Sequence, residues 1–195
     1  GVLRIYDPGV LNMPNAAVTI GAASAIEVYS GTLNGGNGTV NNDGRFYVHG
    51  GVANIGTASG NSLQNRSNSA FFMDAGILNI AGRLMFTAAN TVANISGGTI
   101  NLCTVGNASS TGTLDMVAAA TIQVSGNPRF TFRNASTGAT PRDVNIVSGS
   151  GNKDFTGSIF TFGDLLTPAG QIFRINSGVA LFNIEIASTN SPVVE

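Results

Sequence analysis

A five-residue pattern of small, variable, apolar, Asn and apolar positions recurs along the chain. Its clear copies occupy residues 9–13, 31–35, 51–55, 76–80 and 98–102, and successive copies begin 20 to 25 residues apart. The third and fifth positions are nearly always apolar, as Leu78 and Ile80 are in the fourth copy. This alternation predicts a β-strand whose third and fifth positions face a core and whose second and fourth positions face outward.

A second strand is predicted directly before the small residue of each copy. It contains the triplets 26–28, 46–48, 71–73 and 93–95, in which the two outer residues are apolar. In the pair Phe71-Phe72, alternation therefore turns Phe71 inward and leaves Phe72 exposed. A small-residue corner such as Gly97-Gly98 separates the two strands, because glycine adopts backbone angles that other residues avoid.

The repeat length and the composition together predict the fold class. The chain has 26 Gly and 6 Pro, which disfavours helical repeats. We predict an all-β chain that forms a right-handed parallel β-solenoid of about nine turns of ~22 residues each. Weaker copies at 120–124 and 142–146 extend the regular turns to residue 146, and 147–195 are predicted to form irregular terminal turns of the same single domain, 1–195.

Two further expectations concern the boundaries of these turns. The stretch TASGNSLQNRSNS, residues 57–69, is polar and rich in Asn and Ser, and it is predicted to be a surface loop at one corner. Residue 1 falls inside the first repeat, so the sequence is expected to be a segment of a longer chain.

The recurring Asn has a structural explanation in a solenoid. Equivalent positions of successive turns lie about 4.8 Å apart, and an amide side chain can both donate and accept a hydrogen bond. Stacked amides therefore satisfy one another, although a row of amides could instead bind a ligand. The predicted structural ladder consists of Asn12, Asn34, Asn54, Asn79, Asn101, Gln123 and Asn145.

Composition excludes several function classes. Only 10% of the residues are charged and the net charge is −1, so the chain lacks the basic surface that nucleic-acid binding requires. One His and one Cys do not make a zinc centre, and no metal or other cofactor is predicted. No apolar run approaches the ~18 residues of a membrane span, so direct membrane insertion is not expected.

One outward column contains side chains that could contact a ligand. Two positions before each repeat anchor, the pattern places Tyr29, His49 and Asp74 on consecutive turns, with Asp7 at the start of the column. A sugar ring could stack on the tyrosine, and this column is the candidate ligand contact. It has no second carboxylate and no cleft, so no catalytic residue is assigned and the chain is not predicted to be an enzyme.

The segments SGGTINL, DAGILNI and GGVANI resemble the rungs of β-solenoid segments in large secreted bacterial surface proteins of the adhesin and filament type. The resemblance covers residues 1–146 well and the remainder poorly. It implies an extracellular or cell-surface location and a non-catalytic, adhesive role through rigid multivalent display. The partners it suggests are glycans, host or matrix surfaces, or copies of the chain itself.

Two alternatives stay open at this stage. The first is a carbohydrate-active or carbohydrate-binding β-helix. Its catalytic form would need clustered carboxylates, or Lys/Arg with bound calcium, on one face, and a cleft with two or more carboxylates would favour it. An ice-binding solenoid would need a flat array of outward threonines, and the outward threonines Thr32, Thr99 and Thr121 are interrupted by Val10, Val52 and Ile77.

Overall fold

The computed structural model describes residues 1–116, 119–147, 149 and 151–195. Over these residues the chain forms 24 β-strands and no helix. The first fourteen strands are β1 (Val2–Ile5), β2 (Val10–Asn12), β3 (Val18–Ile20), β4 (Ala25–Val28), β5 (Thr32–Asn34), β6 (Val40–Asn42), β7 (Arg45–Val48), β8 (Val52–Ile55), β9 (Ser62–Asn65), β10 (Ala70–Met73), β11 (Ile77–Ile80), β12 (Arg83–Phe86), β13 (Val92–Ile95) and β14 (Thr99–Leu102). The other ten are β15 (Leu114–Met116), β16 (Thr121–Val124), β17 (Arg129–Phe132), β18 (Val144–Ile146), β19 (Lys153–Asp154), β20 (Ile159–Phe162), β21 (Ile172–Phe173), β22 (Ile175–Ser177), β23 (Asn183–Ile186) and β24 (Val193–Val194).

The strands wind into a parallel β-solenoid with three long sheets, which confirms the predicted fold class. Sheet A has the order β1-β4-β7-β10-β13-β16-β19, and sheet B has the order β2-β5-β8-β11-β14-β17-β20-β23. Sheet C contains β3, β6, β9, β12, β15, β18 and β22 in sequence order, and β21 pairs with β24 in a small fourth sheet. Each strand pairs in parallel with its equivalent one turn away, so equivalent residues form columns that run along the solenoid axis.

The core lies between the three sheets and is built from the inward columns. Leu78 and Ile80 are fully buried, as the alternation predicts, whereas Ile77, at an outward position of the same strand, is 40% exposed. Aromatic rings stack in the later turns, where Phe130 lies 5.1 Å from Phe160 between ring centroids. Because parallel pairing brings identical column positions together, the inward side chains of each turn pack against those of the next turn.

The turns are less uniform than the sequence repeat predicts. Sheet B has eight strands in the described residues, so there are eight turns rather than nine. Up to Leu102 the register agrees with the repeat, since Val10 pairs with Thr32 and Ile77 pairs with Thr99. After Leu102 the turns lengthen, because Thr99 pairs with Arg129 and Arg129 pairs with Ile159, 30 residues apart in each case.

The added length forms two loops, 103–113 and 133–143, that lie against each other and against sheet C. The backbone N–H of Thr137 donates to the carbonyl of Asn107 at 2.8 Å, which joins the two loops. A Cβ on Gly112 would lie 2.6 Å from the Cβ of Asn145, so the first loop closely approaches β18. Asp115 and Asn145 point away from the core, yet each is only 3% exposed because of this cover.

The polar stretch 57–69 contains a strand, so its prediction as a surface loop is wrong. Within it, β9 is the third-sheet strand of its turn, and Leu63 is fully buried against the core. Asn65 is also buried, and its Oδ1 accepts a hydrogen bond of 2.9 Å from the Nδ2 of Asn42 one turn earlier. Amide pairing between turns allows a sequence with few apolar residues to form an interior strand.

Candidate ligand-contact surface

The Asn ladder is present in sheet B for its first five members. The Nδ2 of each Asn donates to the Oδ1 of the Asn one turn earlier, at 2.8 Å for Asn34 to Asn12 and 2.9 Å for Asn54 to Asn34. The same bond measures 2.8 Å for Asn79 to Asn54 and 2.7 Å for Asn101 to Asn79. These side chains satisfy one another, which is the structural role that the repeat predicts.

Gln123 and Asn145 do not belong to the ladder, so this part of the prediction is wrong. Gln123 lies in sheet A, where its strand pairs with that of Asn94. Asn145 lies in sheet C, donates from Nδ2 to Asp115 at 2.9 Å and accepts from Asn176 at 2.7 Å. Beyond Leu102 a step of 22 residues is shorter than a turn, so counting by the repeat moves to a different sheet each time.

A depression beside the ladder is lined by residues of its first three rungs, including Asn12, Asn34 and Asn54. The amides of this row are engaged with one another along the axis. Each inner amide uses one N–H and one oxygen lone pair in the ladder, so a ligand could reach only the second N–H and the second lone pair. The ladder is better explained as a structural element than as a binding row.

The column Tyr29, His49 and Asp74 forms a continuous contact series on sheet A. The rings of Tyr29 and His49 stack with centroids 4.3 Å apart, and the Nδ1 of His49 lies 3.0 Å from an Asp74 carboxylate oxygen. The column begins with Tyr6, which stacks on Tyr29 at 4.8 Å, rather than with Asp7. The first turn of sheet A is one residue longer than the repeat predicts, since Ile5 pairs with Val28.

A neighbouring outward column adds two aromatic rings that the column prediction omitted. Tyr47 stacks on His49 at 3.9 Å and on Phe72 at 4.8 Å. Both Tyr47 and Phe72 are the middle residues of predicted strand triplets, so alternation places them on the outer face. The middle positions of successive triplets form one column, and that column in the sequence would identify Tyr47 and Phe72 as outward neighbours. We call the set Tyr6, Tyr29, Tyr47, His49 and Phe72 the aromatic strip.

Charged groups border the strip. The Nε of Arg4 donates to a Glu27 carboxylate oxygen at 2.8 Å, and the Tyr29 hydroxyl donates to the same oxygen at 3.3 Å. Burial raises the pKa of the Tyr29 hydroxyl, and the nearby Glu27 carboxylate raises it further. Tyr29 therefore stays a neutral hydrogen-bonding ring at physiological pH, held in place by both its stacking and its hydroxyl.

The His49 ring has a single side-chain partner. Within the part of the chain that the structure describes, the His49 imidazole hydrogen-bonds only to Asp74, and no hydroxyl or thiol hydrogen-bonds to the ring as a nucleophile activated by it would. The same described residues contain no group of three or more His, Cys, Asp or Glu side chains that could hold a metal ion. Cys103 is buried, and burial raises the pKa of its thiol to about 12, so it is not a reactive nucleophile.

Comparisons with known proteins do not assign a family. No protein-family model matches the chain, and no curated protein and no solved structure matches it. In the residues that the structure describes, no helix is long and apolar enough to cross a membrane. The aromatic strip and its surroundings are therefore the features of the molecule that point to a function.

Proposed function

We propose that this chain is a rigid, non-catalytic adhesive segment of a surface-exposed or filament-forming bacterial protein, and that the aromatic strip is its contact surface. The observation that carries the proposal is the continuous stack of outward rings from Tyr6 to Phe72. Tyr6 is 52% exposed, and the other members are partly exposed despite covering one another. Exposed aromatic groups that are already ordered lose little conformational entropy on binding.

The solenoid supports this role through its stiffness. Parallel pairing fixes the position of each turn relative to the next, so the rings of the strip stay stacked at centroid distances of 3.9 to 4.8 Å. Many copies on one surface would then convert weak single contacts into strong adhesion, because each bound copy raises the effective concentration of the next.

The experiment compares beads that carry the protein at high and low density. The beads are washed over surfaces coated separately with collagen, fibronectin, mucin and soluble polysaccharides. The test variant is Tyr47→Ala combined with Phe72→Ala, and the matched control is Phe182→Ala, a 59% exposed phenylalanine far along the chain from the strip. We expect high-density wild-type and control beads to adhere to at least one surface, and the strip variant to lose adhesion by roughly 10²-fold or more.

Two results would contradict the proposal. If the strip variant adheres as well as the wild type, the strip is not the contact surface. If incubation of the protein with the polysaccharides produces new reducing ends, the chain is a carbohydrate-active enzyme and the non-catalytic role fails.

A further inference from the structure

The aromatic strip continues into a polar groove on the same face of sheet A. A small depression is lined by Tyr47, Phe72, Asp74, Asn94 and Ser96. A larger one, with a volume of about 430 Å³, begins at the same Asn94 and extends over Gln123 and Asp154 to Thr156. Because Asn94 belongs to both, the strip and the groove form one continuous path along the axis.

The two parts of this path have different chemistry. The strip presents the outer edges of its rings, because the faces of Tyr29, His49 and Tyr47 are covered by the neighbouring rings of the stack. These edges give an apolar surface against which apolar parts of a ligand can pack. The groove presents the exposed amides of Asn94 and Gln123, which differ from the Asn ladder because they lie on sheet A outside its bonded series. Amides and carboxylates donate to and accept from hydroxyl groups. A ligand that fits both parts has apolar faces and many hydroxyls.

The charges along the path give a polyanion no net attraction. Three carboxylates border it, from Glu27, Asp74 and Asp154, against two guanidinium groups: Arg4, which is paired with Glu27, and Arg45, which is exposed two residues before Tyr47. The hydrogen bonds from Thr156 lower the pKa of Asp154, so this carboxylate stays ionised near neutral pH. A polyanion would meet like charge at Asp74 and at Asp154.

The length of the path points to a polymer. It crosses all seven strands of sheet A, from Tyr6 on the first turn to Asp154 on the seventh. Six intervals of about 4.8 Å give a path of roughly 29 Å. A small molecule would cover only one part, whereas a linear chain could contact rings and amides at the same time.

We propose that the strip and the groove together bind one neutral polysaccharide chain that lies parallel to the solenoid axis. Its sugar rings pack against the exposed edges of Tyr29, Tyr47 and Phe72, and its hydroxyl groups hydrogen-bond to Asp74, Asn94 and Gln123. This inference rests on the proposed adhesive function and specifies the ligand of the same surface.

The test is native electrophoresis of the soluble protein through gels that contain hydroxyethyl cellulose, glucomannan, dextran or alginate. We expect at least one neutral polymer to retard the wild type and alginate to have no effect. Tyr47→Ala and Gln123→Ala should each weaken the retardation by roughly tenfold, and Phe182→Ala should not change it. Fragments of two sugars should compete roughly 10²-fold less well than the long polymer. Circular dichroism before each run verifies that every variant is folded.

Each contrary result overturns a different part of the proposal. Preference for alginate, or no retardation by any neutral polymer, overturns the ligand class. Retardation that is unchanged in both strip and groove variants places binding elsewhere and overturns the site. Competition by two-sugar fragments that equals the polymer overturns the axial path. If beads adhere through the strip only to collagen or fibronectin, the adhesive function stands and the polysaccharide inference fails.

Discussion

The first turns, up to β14, and the later turns, from β15 onward, are stabilised by different polar contacts around the same kind of apolar core. In the first turns the corners are short, the sheet faces are open and the polar column on sheet B is a self-satisfied row of asparagines. In the later turns, two loops cover the outer face of sheet C and bury Asp115, Asp143 and Asn145. The first turns are stabilised mainly by repetition, and the later turns depend on specific polar contacts.

Asp143 illustrates the later solution. Its two carboxylate oxygens accept hydrogen bonds from the backbone N–H groups of Ser136, at 2.7 Å, and Arg174, at 2.9 Å. One side chain therefore ties the loop 133–143 to the following turn. Such a contact has no equivalent in the neighbouring turns, so it leaves no periodic signal in the sequence.

The largest effect is expected in the core of the first turns, from Leu78→Ala. Leu78 is fully buried and faces the core, so truncation should lower the free energy of unfolding by about 2–5 kcal/mol. The neighbouring Ile77 faces outward and is 40% exposed, and Ile77→Ala should cost no more than about 1 kcal/mol. Urea unfolding curves measure both, and equal losses would contradict the alternation that defines these turns.

The sequence predicts the first turns better than the later turns. The fold class, the inward Leu78 and Ile80, and the ladder up to Asn101 were predictable, because equal turn lengths place equal residue types in one column. Gln123 and Asn145 were misplaced, because 30-residue turns break that rule while keeping local alternation. Local alternation identifies a strand but not which of three sheets contains it.

The contact surface was predictable in part for a related reason. Tyr29, His49 and Asp74 were identified from the repeat, and the structure brings them together. Tyr6 was missed because the first turn of sheet A is one residue longer, and Tyr47 was missed because its column has no repeated residue type. Functional columns vary from turn to turn, so periodicity detects them less well than it detects structural ones.

A second effect, on the order of 2–3 kcal/mol, is expected for the pH dependence contributed by Asp143 in the later turns. Burial raises the pKa of this carboxyl to about 6, above its ordinary value of 3.8. The folded protein therefore binds the proton more tightly than the unfolded chain does. The stabilisation is fully present below the ordinary pKa and is lost as the pH rises through about 6.

Asp143→Asn isolates this contribution because the amide does not titrate. When the pH is lowered from about 7.5 to about 4, the wild type should gain on the order of 2–3 kcal/mol in unfolding free energy that the variant does not gain. Asp154→Asn is the control: hydrogen bonds from Thr156 lower the pKa of Asp154, so its stabilisation is present above the ordinary pKa and is lost only as the pH falls below it. A difference between Asp143→Asn and wild type that does not vary with pH would show that the buried carboxyl does not titrate in this window.

A smaller effect is expected from the Asn ladder in the first turns. Asn79 donates to Asn54 and accepts from Asn101, so Asn79→Ala removes two hydrogen bonds and leaves both neighbours without a partner on one side. The expected loss is about 1–3 kcal/mol. Asn94→Ala, an exposed asparagine at an outward position of sheet A, should change stability by no more than about 0.5 kcal/mol. Similar losses in chemical denaturation would mean that the ladder has no special structural role.

The smallest effect on stability is expected within the contact surface itself. The His49 and Asp74 side chains are 23% and 48% exposed, so their contact at 3.0 Å lies in a solvent-rich environment. Asp74→Asn keeps the shape of the side chain, and the loss in unfolding free energy should be about 0–1 kcal/mol. In about 1 M salt the screening length falls to about 3 Å and the remaining difference should vanish. A loss above about 2 kcal/mol that persists in high salt would show that the surface helps to hold the first turns together. Absence of such a loss would mean that the His49–Asp74 contact is not needed to maintain these turns, which leaves this part of the outer face of sheet A free to specialise for binding.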